Sequence, residues 1–263
     1  MEKIPASVFI LTKNSADTIR RALDSVSDFE DIVVCDGGST DDTVRIARSA
    51  SASVFLQPAQ CLDGTGRIKD FSCARNFCLD RTKYDLVLYI DSDEYLSADA
   101  AEEIRSLAAH PNPAAWVWRM PRIGVLNGKI IECSLSYPNR QVRFFHKRHT
   151  VRFIKSVHER IDVSVGEKIG VLRSGLFFQV PRSVTEARAK SRRYLSLEDA
   201  HLGAVPRSVI ARNIIHTIRA QAGSIVRLKG RFFCRGRKAP LRYEWLRFEY
   251  NFQLLGLLLR HLL

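Results

Sequence analysis

Two carboxylates one residue apart, Asp91 and Asp93, follow directly on the apolar run LVLYI at residues 86–90. Acids just past the end of a buried strand suit a hard divalent cation that also binds phosphate oxygens, and such a cation stabilises a departing diphosphate as a Lewis acid. The same acids can instead complement the dipole of a helix that starts after them. A third acid, Asp36, closes the run DIVVCD and is followed by Gly37 and Gly38, which let a ligand approach the backbone closely. Its carboxylate suits either the N–H of a uracil base or the cap of its own loop. Thr12, Lys13 and Asn14 stand in the same way after SVFIL at residues 7–11. Lys69 and Arg75, on the segment before the run at 86–90, read either as phosphate-facing cations or as exposed helix cations.

The elements that must position these residues alternate regularly. Apolar runs at 7–11, 32–35, 54–56 and 86–90 predict buried strands. Between them Ile19, Ala22, Leu23 and Val26 fall at helical spacing behind Ser15 as a cap. Val44 and Ala47, and then residues 71–79, carry the next two helices. Ser97 opens an acid-rich helix start with Asp99, Glu102 and Glu103. Strand–helix alternation of this kind predicts an α/β fold with a mostly parallel, doubly wound sheet flanked by helices. Ligands bind such sheets beyond the carboxyl ends of the strands, where residues 12–14, 36–39 and 91–93 all fall. After Pro113 the rhythm turns β-rich, with AWVWRM, KIIECS, QVRFFH and a hairpin between residues 163 and 180. From a Ser183–Glu186 capping box onward the chain is helical, pausing near Gly203 before Pro206 starts another helix. The reading divides the chain into an α/β nucleotide-binding part at 1–110, a β-rich part at 111–182 and a basic helical extension at 183–263.

The series SVFILTKN, IVVCDGGSTDDT, ARN at 74–76 and LVLYIDSDE resembles family 2 of the inverting glycosyltransferases, whose fold is the Rossmann-like GT-A fold. Tyr137-Pro138, Arg143, Phe145 and Val157-His158-Glu159 are similar to the branch that holds lipopolysaccharide-core β-glucosyltransferases. The resemblance covers residues 5–162. It implies transfer of a single sugar, with inversion, from a nucleotide diphosphate donor, UDP-linked by preference, assisted by Mn²⁺ or Mg²⁺. Thr12 and Asp36 would hold the nucleoside, Lys13, Asn14 and Gly37 would line the same site, and Arg75 would serve ribose or phosphate. Asp93 would ligate the metal, with Asp91 on ribose or a metal-bound water. Glu159 would take the acceptor proton, and His158 would be a third metal ligand or a partner behind it. A buried salt bridge from the VHE segment to Arg143 or Arg160 is the structural alternative. Ser136 stands where the branch carries Trp, residues 57–70 depart from it, and the Q-x-x-R-W motif of processive synthases is missing.

The charge is uneven. Residues 181–263 hold 17 Lys and Arg against 5 Asp and Glu, nearly the whole net charge of +13. GRFFCRGRK interleaves cations with Phe232 and Phe233, and Trp245, Phe248, Phe252, Leu255 and Leu259 form an apolar stripe. Cations mixed with aromatics suit an anionic membrane surface, and the same residue types serve RNA. The stripe suits a membrane interface or packing onto the rest of the chain. No apolar run reaches the ~18–20 residues that span a bilayer, and the N-terminal run is too short for a signal peptide, so the expected location is cytoplasmic or peripheral on the inner face of the plasma membrane. The six cysteines show neither a C-x-x-C pair nor zinc-like spacing and are expected as free thiols. Two other functions fit parts of the pattern: a nucleotidyltransferase making activated sugars, and a nucleic-acid-binding module using the basic tail.

Overall fold

The apolar runs form strands whose side chains alternate between two buried faces. The computed structural model describes residues 2–135, 137, 139–156, 159–203 and 205–263, with Val151 by its backbone alone. Strands β1 (Ile4–Thr12), β2 (Phe29–Asp36), β3 (Ser53–Leu56) and β4 (Leu86–Asp91) lie in the order β3-β2-β1-β4, all parallel. Helices α1 (Ala16–Asp24), α2 (Thr43–Ser49) and α3 (Phe71–Leu79) connect them, and α4 (Ala98–Ala109) follows. Val8 and Ile10 of β1 enter one core cluster with Ile19, Leu23, Ala47 and Ile104. Phe9 and Leu11 enter the opposite cluster with Ala74 and Cys78 of α3. Burial on both faces is why the parallel strands read as continuous apolar runs rather than as alternation. The expected α/β architecture, a sheet flanked by helices, is met here.

Beyond β4 the sheet turns antiparallel. Strands β5 (Glu94–Leu96), β6 (Val117–Leu126), β7 (Lys129–Ile130), β8 (Asn139–His146), β11 (Ile169–Val171) and β12 (Leu176–Gln179) join it, in the order β4-β8-β6-β12-β5. Strands β9 (Thr150–Ile154) and β10 (Arg160–Val163) form a separate antiparallel pair. The hairpin expected between residues 163 and 180 is not formed by β11 and β12. Strand β11 pairs in parallel with β6, and β12 pairs antiparallel with β5. Gly175, in the link between them, lies against the Pro121 backbone of β6, where a Cβ would overlap the carbonyl oxygen. Its own carbonyl accepts the Ser97 N–H at 3.1 Å.

The chain divides into two compact units, Met1–Arg122 with Asn139–Phe178, and Ile123–Pro138 with Gln179–Leu263. The second holds α5 (Val184–Leu202), α6 (Arg207–Phe233) and α7 (Leu241–Leu262). The Ser183 Oγ accepts the Glu186 N–H at 3.0 Å and the Glu186 carboxylate accepts the Arg182 N–H at 2.8 Å, a reciprocal cap of the kind the sequence indicates. Leu202, Ile210, Leu257 and Leu258 form this unit's apolar cluster. A long apolar stripe stays outside it: Ile218, Ile225, Phe232 and Phe233 of α6, and Trp245 and Phe252 of α7, are exposed, Phe233 to 87%. Among the described residues no helix is long and apolar enough to cross a membrane.

The expectation of free thiols is corrected. All six cysteines stand in three pairs, Cys35 with Cys78, Cys61 with Cys73 and Cys133 with Cys234, at Cα separations of 6.1, 5.5 and 6.3 Å. Each separation lies inside the disulfide range. Spacing along the chain carried no sign of this because the partners are brought together only by strand and helix packing.

Gly175→Ala forces a methyl group onto rigid backbone and should cost about 1–3 kcal/mol or more, read as a lower urea midpoint. An unchanged midpoint would show that β6 and β12 are not held in this close approach.

Candidate active site

Strand register brings the sequence-predicted segments to one rim. Thr12 pairs with Asp36, Leu11 with Asp91, and Asp36 with Leu56, so the carboxyl ends of β1 to β4 finish level with one another. The loops after them are stitched together. The Gly37 N–H donates to the Thr12 carbonyl at 2.8 Å, the Thr40 N–H to Asn14 Oδ1 at 2.8 Å, and the Asn14 N–H to Ser39 Oγ at 2.8 Å. Ser15 Oγ lies 2.9 Å from Ser92 Oγ, which ties the first loop to the Asp91–Asp93 turn. Ser15 makes no side-chain cap on α1; Asp41, from the neighbouring loop, accepts the Ala16 N–H at 3.1 Å instead.

Individual side chains then take distinct places. Asp36 is buried, and its carboxylate accepts the N–H groups of Gly38 at 2.9 Å and Ser39 at 2.8 Å as well as the Ser39 hydroxyl, so it caps its own loop. Gly38 has φ +79°, the left-handed backbone that glycine tolerates best. A Cβ at Gly37 would stand 3.3 Å from Gln57 Oε1 and from the Lys13 side chain. Lys13 donates to the Gly66 carbonyl and so holds the loop at residues 62–68. Lys69, just beyond that loop, is exposed. Thr12 Oγ1 and Gln57 Oε1 are buried without a hydrogen-bond partner among the described residues. Gln57, which no sequence motif singles out, donates from Nε2 to the Cys35 carbonyl at 2.7 Å and thereby lies beneath the same loop.

Arg75 is the main departure from the sequence reading. It is only 4% exposed and faces no solvent. Its Nε donates to Glu159 Oε1 at 2.6 Å and its Nη2 to Asp91 Oδ1 at 2.7 Å. The salt bridge foreseen for Glu159 therefore goes to Arg75, not to Arg143 or Arg160. Arg143 Nη2 lies 3.5 Å from Asp91 Oδ2 and 3.1 Å from Glu94 Oε1, and Arg122 Nε donates to Glu94 Oε1 at 2.7 Å. The six groups thus alternate in sign: Glu159, Arg75, Asp91, Arg143, Glu94, Arg122. Glu94, fully buried, also accepts the Asp91 N–H at 3.0 Å. Tyr89 lies between the two central guanidinium groups, 4.8 Å from Arg75 and 4.5 Å from Arg143.

The electrostatics follow from this order. Burial pushes Asp91 toward its neutral form, but Arg75 and then Arg143 outweigh burial and hold its carboxyl well below the usual carboxylate range. Burial likewise disfavours the Arg75 and Arg143 charges, and the acids around them outweigh it, raising both. Burial raises the Tyr89 hydroxyl.

These contacts change the metal assignment. Both Asp91 oxygens face guanidinium groups, which repel a dication, so Asp91 does not fit as a direct ligand. Among the described residues no three His, Cys, Asp or Glu side chains surround a common point, and His158 lies outside those residues. Asp93 sits half-buried in the turn between β4 and β5. One carboxylate completed by water and substrate phosphates is a set that Mg²⁺ accepts, so the donor chemistry at Asp93 fits.

Residues 7–166 match the family model described as Glycosyl transferase family 2. The chain belongs to glycosyltransferase family 2. This family 2 chain is 30% identical over 207 residues to an uncharacterized glycosyltransferase of Rickettsia felis, covering 74% of this chain and 69% of the relative. It is 29% identical over 199 residues to one of Rickettsia bellii, covering 72% and 64%. It thus spans about two thirds of their length. The solved structure of S. aureus TarS 1-349 in complex with UDP-GlcNAc is 17% identical, with a TM-score of 0.49 over 85% of this chain and 89% of that one.

Replacing Arg75 by Met should leave the Glu159 carboxylate without its cation and Asp91 with Arg143 alone. A fully buried pair costs ~3–5 kcal/mol to break, and because a third of Asp91 is exposed we expect about 2–4 kcal/mol at pH 7. A carboxyl held below its ordinary value of 3.8 adds stability above that pH and loses it as pH falls further. The gap between wild type and Arg75→Met should accordingly stay nearly level from pH 7 to about pH 4 and shrink as pH falls from there toward about 2 in urea unfolding; a gap that does not shrink over the lower range would contradict the pairing.

Proposed function

We propose that this family 2 chain transfers a single sugar, with inversion, from a nucleoside diphosphate sugar, UDP-linked by preference, to a hydroxyl of a glycan or glycolipid such as lipopolysaccharide core. The carrying observation is the level rim formed by Thr12, Asp36 and Asp91 at the ends of adjacent parallel strands, within the stretch that matches the family. In this reading residues 1–110 bind the donor, 111–182 present the acceptor side and 183–263 hold the enzyme at its site of action. Thr12, Asn14, Asp36 and Gly37 frame the nucleoside, and Lys13, after β1, and Lys69, before α3, face its phosphates.

Asp93 would hold Mn²⁺ or Mg²⁺, which when bound stabilises the charge of the departing diphosphate. Asp91, one third exposed and fixed by two arginines, turns toward the ribose. Glu159 takes the proton of the attacking acceptor hydroxyl. That oxygen forms its bond to the anomeric carbon as the bond from this carbon to the diphosphate oxygen breaks, and the electron pair leaves with the nucleoside diphosphate. Arg75 is a positioning residue here, holding Glu159 and Asp91 at 2.6 and 2.7 Å from one guanidinium.

UDP binding to the full chain, followed by calorimetry, should require Mn²⁺ or Mg²⁺ and fall at least tenfold in Asp93→Ala. Glu159→Gln should keep UDP affinity while transfer drops about 10²–10⁴-fold. Metal-independent binding in the first variant, or full activity in the second, would remove the corresponding assignment.

The same reading places the enzyme peripherally on an anionic inner membrane face. Its support is the exposed stripe of α6 and α7, including Phe232, Phe233 and Trp245, on a segment with 17 basic against 5 acidic residues. Sedimentation with vesicles containing phosphatidylglycerol should be strong at low salt, fade with added salt and weaken in Phe232→Ser/Phe233→Ser. No sedimentation at low salt would defeat it.

A further inference from the structure

A cavity of about 360 Å³ opens beside Glu159, within the ~300–1,000 Å³ typical of small-ligand sites. Tyr89, Val142, Ile161 and Ile169 give it an apolar side, suited to the C–H face of a sugar ring. Its charged lining is Arg119 of β6, Arg160 of β10, Asp162 and Glu159. These arginines differ from their neighbours. Arg75, Arg122 and Arg143 are each matched by an acid at 3.1 Å or closer. The side chains of Arg119 and Arg160 have no ion-pair or hydrogen-bond partner among the described residues. Glu159 is already matched by Arg75, which leaves two guanidinium groups against the single carboxylate of Asp162.

We propose that this cavity is the acceptor site and that the acceptor is an acidic sugar, its carboxylate or phosphate held by Arg119 and Arg160 while a ring hydroxyl points to Glu159. The inference rests on the transferase reading above, since Glu159 is the proton acceptor there. A guanidinium fork matches the paired oxygens of carboxylate and phosphate, and two such forks around one cavity select an anion over a neutral ring. Asp162 then sets the orientation by repelling the anionic group from its own side. The acceptor hydroxyl loses its proton to Glu159 as its oxygen bonds the anomeric carbon, so the acidic substituent stays intact and serves only for grip.

The test titrates the full chain, with and without saturating UDP and Mn²⁺, against glucuronic acid, glucose 6-phosphate and neutral methyl glucoside, with dissociation constants read by NMR. At least one anionic probe should bind tenfold or more tighter than methyl glucoside, and the stronger of the two identifies the carboxylate or the phosphate source. Arg119→Ala/Arg160→Ala should abolish that preference while UDP affinity, as a check on folding, stays within twofold. Arg235→Ala/Arg237→Ala, which removes exposed positive charge elsewhere, should leave the preference intact. Equal binding of the neutral probe, a preference that survives in the Arg119/Arg160 variant, or one lost equally in the Arg235/Arg237 variant would overturn the proposal. A wild type that fails to bind UDP with metal would instead overturn the donor reading, and the titrations without UDP still report on the cavity.

Discussion

Six alternating charges run through the first unit from Glu159 to Arg122, and the site could not hold its shape without them. Charged groups removed from water are stable only when matched and hydrogen-bonded. Here each interior member meets an opposite charge on both sides. The members come from α3, β4, β5, β6, β8 and the residue that opens onto β10, so one network ties the parallel half of the sheet to its antiparallel half. Removing Arg75 strands Glu159 and leaves Asp91 with Arg143 alone, which is why the geometry of Asp91 and the geometry of Glu159 are a single constraint.

That constraint separates two acids that look equivalent in sequence. Asp91 and Asp93 are one residue apart, yet the strand-end position of Asp91 turns its carboxylate toward Arg75 and Arg143, whereas Asp93 stands in the turn beyond. The first is anchored by cations; the second is half-buried in the turn. Asp36 shows the same principle in a loop, where the nearest donors are its own backbone N–H groups and take up its oxygens first. Arginines follow it as well. Those surrounded by acids are spent on structure, and those facing the open cavity remain able to meet a ligand.

The second unit is organised by different forces. Cys133 with Cys234, and Glu244 accepting the Leu135 N–H at 3.1 Å, fasten the segment at residues 123–138 to the C-terminal helices. Its small apolar cluster leaves much of the α6 and α7 surface uncovered, so apolar side chains and arginines share the exposed faces. A helix that keeps Phe and Trp in water retains surface for a further partner.

Local rules determined much of this protein without any coordinates. Apolar runs marked the four parallel strands, helical spacing marked α1 to α4, and Ser97 and Ser183 marked helix starts, because each of these signals acts within a few residues. The alternation of strand and helix also sufficed to bring residues 12–14, 36–39 and 91–93 to one rim, since parallel strands in register must end together. Tertiary structure alone decided which acid Arg75 meets, that Glu94 and Gln57 belong to the site, that β11 and β12 go to different partners, and how the cysteines pair. Those outcomes depend on desolvation and on contacts between residues tens of positions apart, and neither leaves a trace in local spacing.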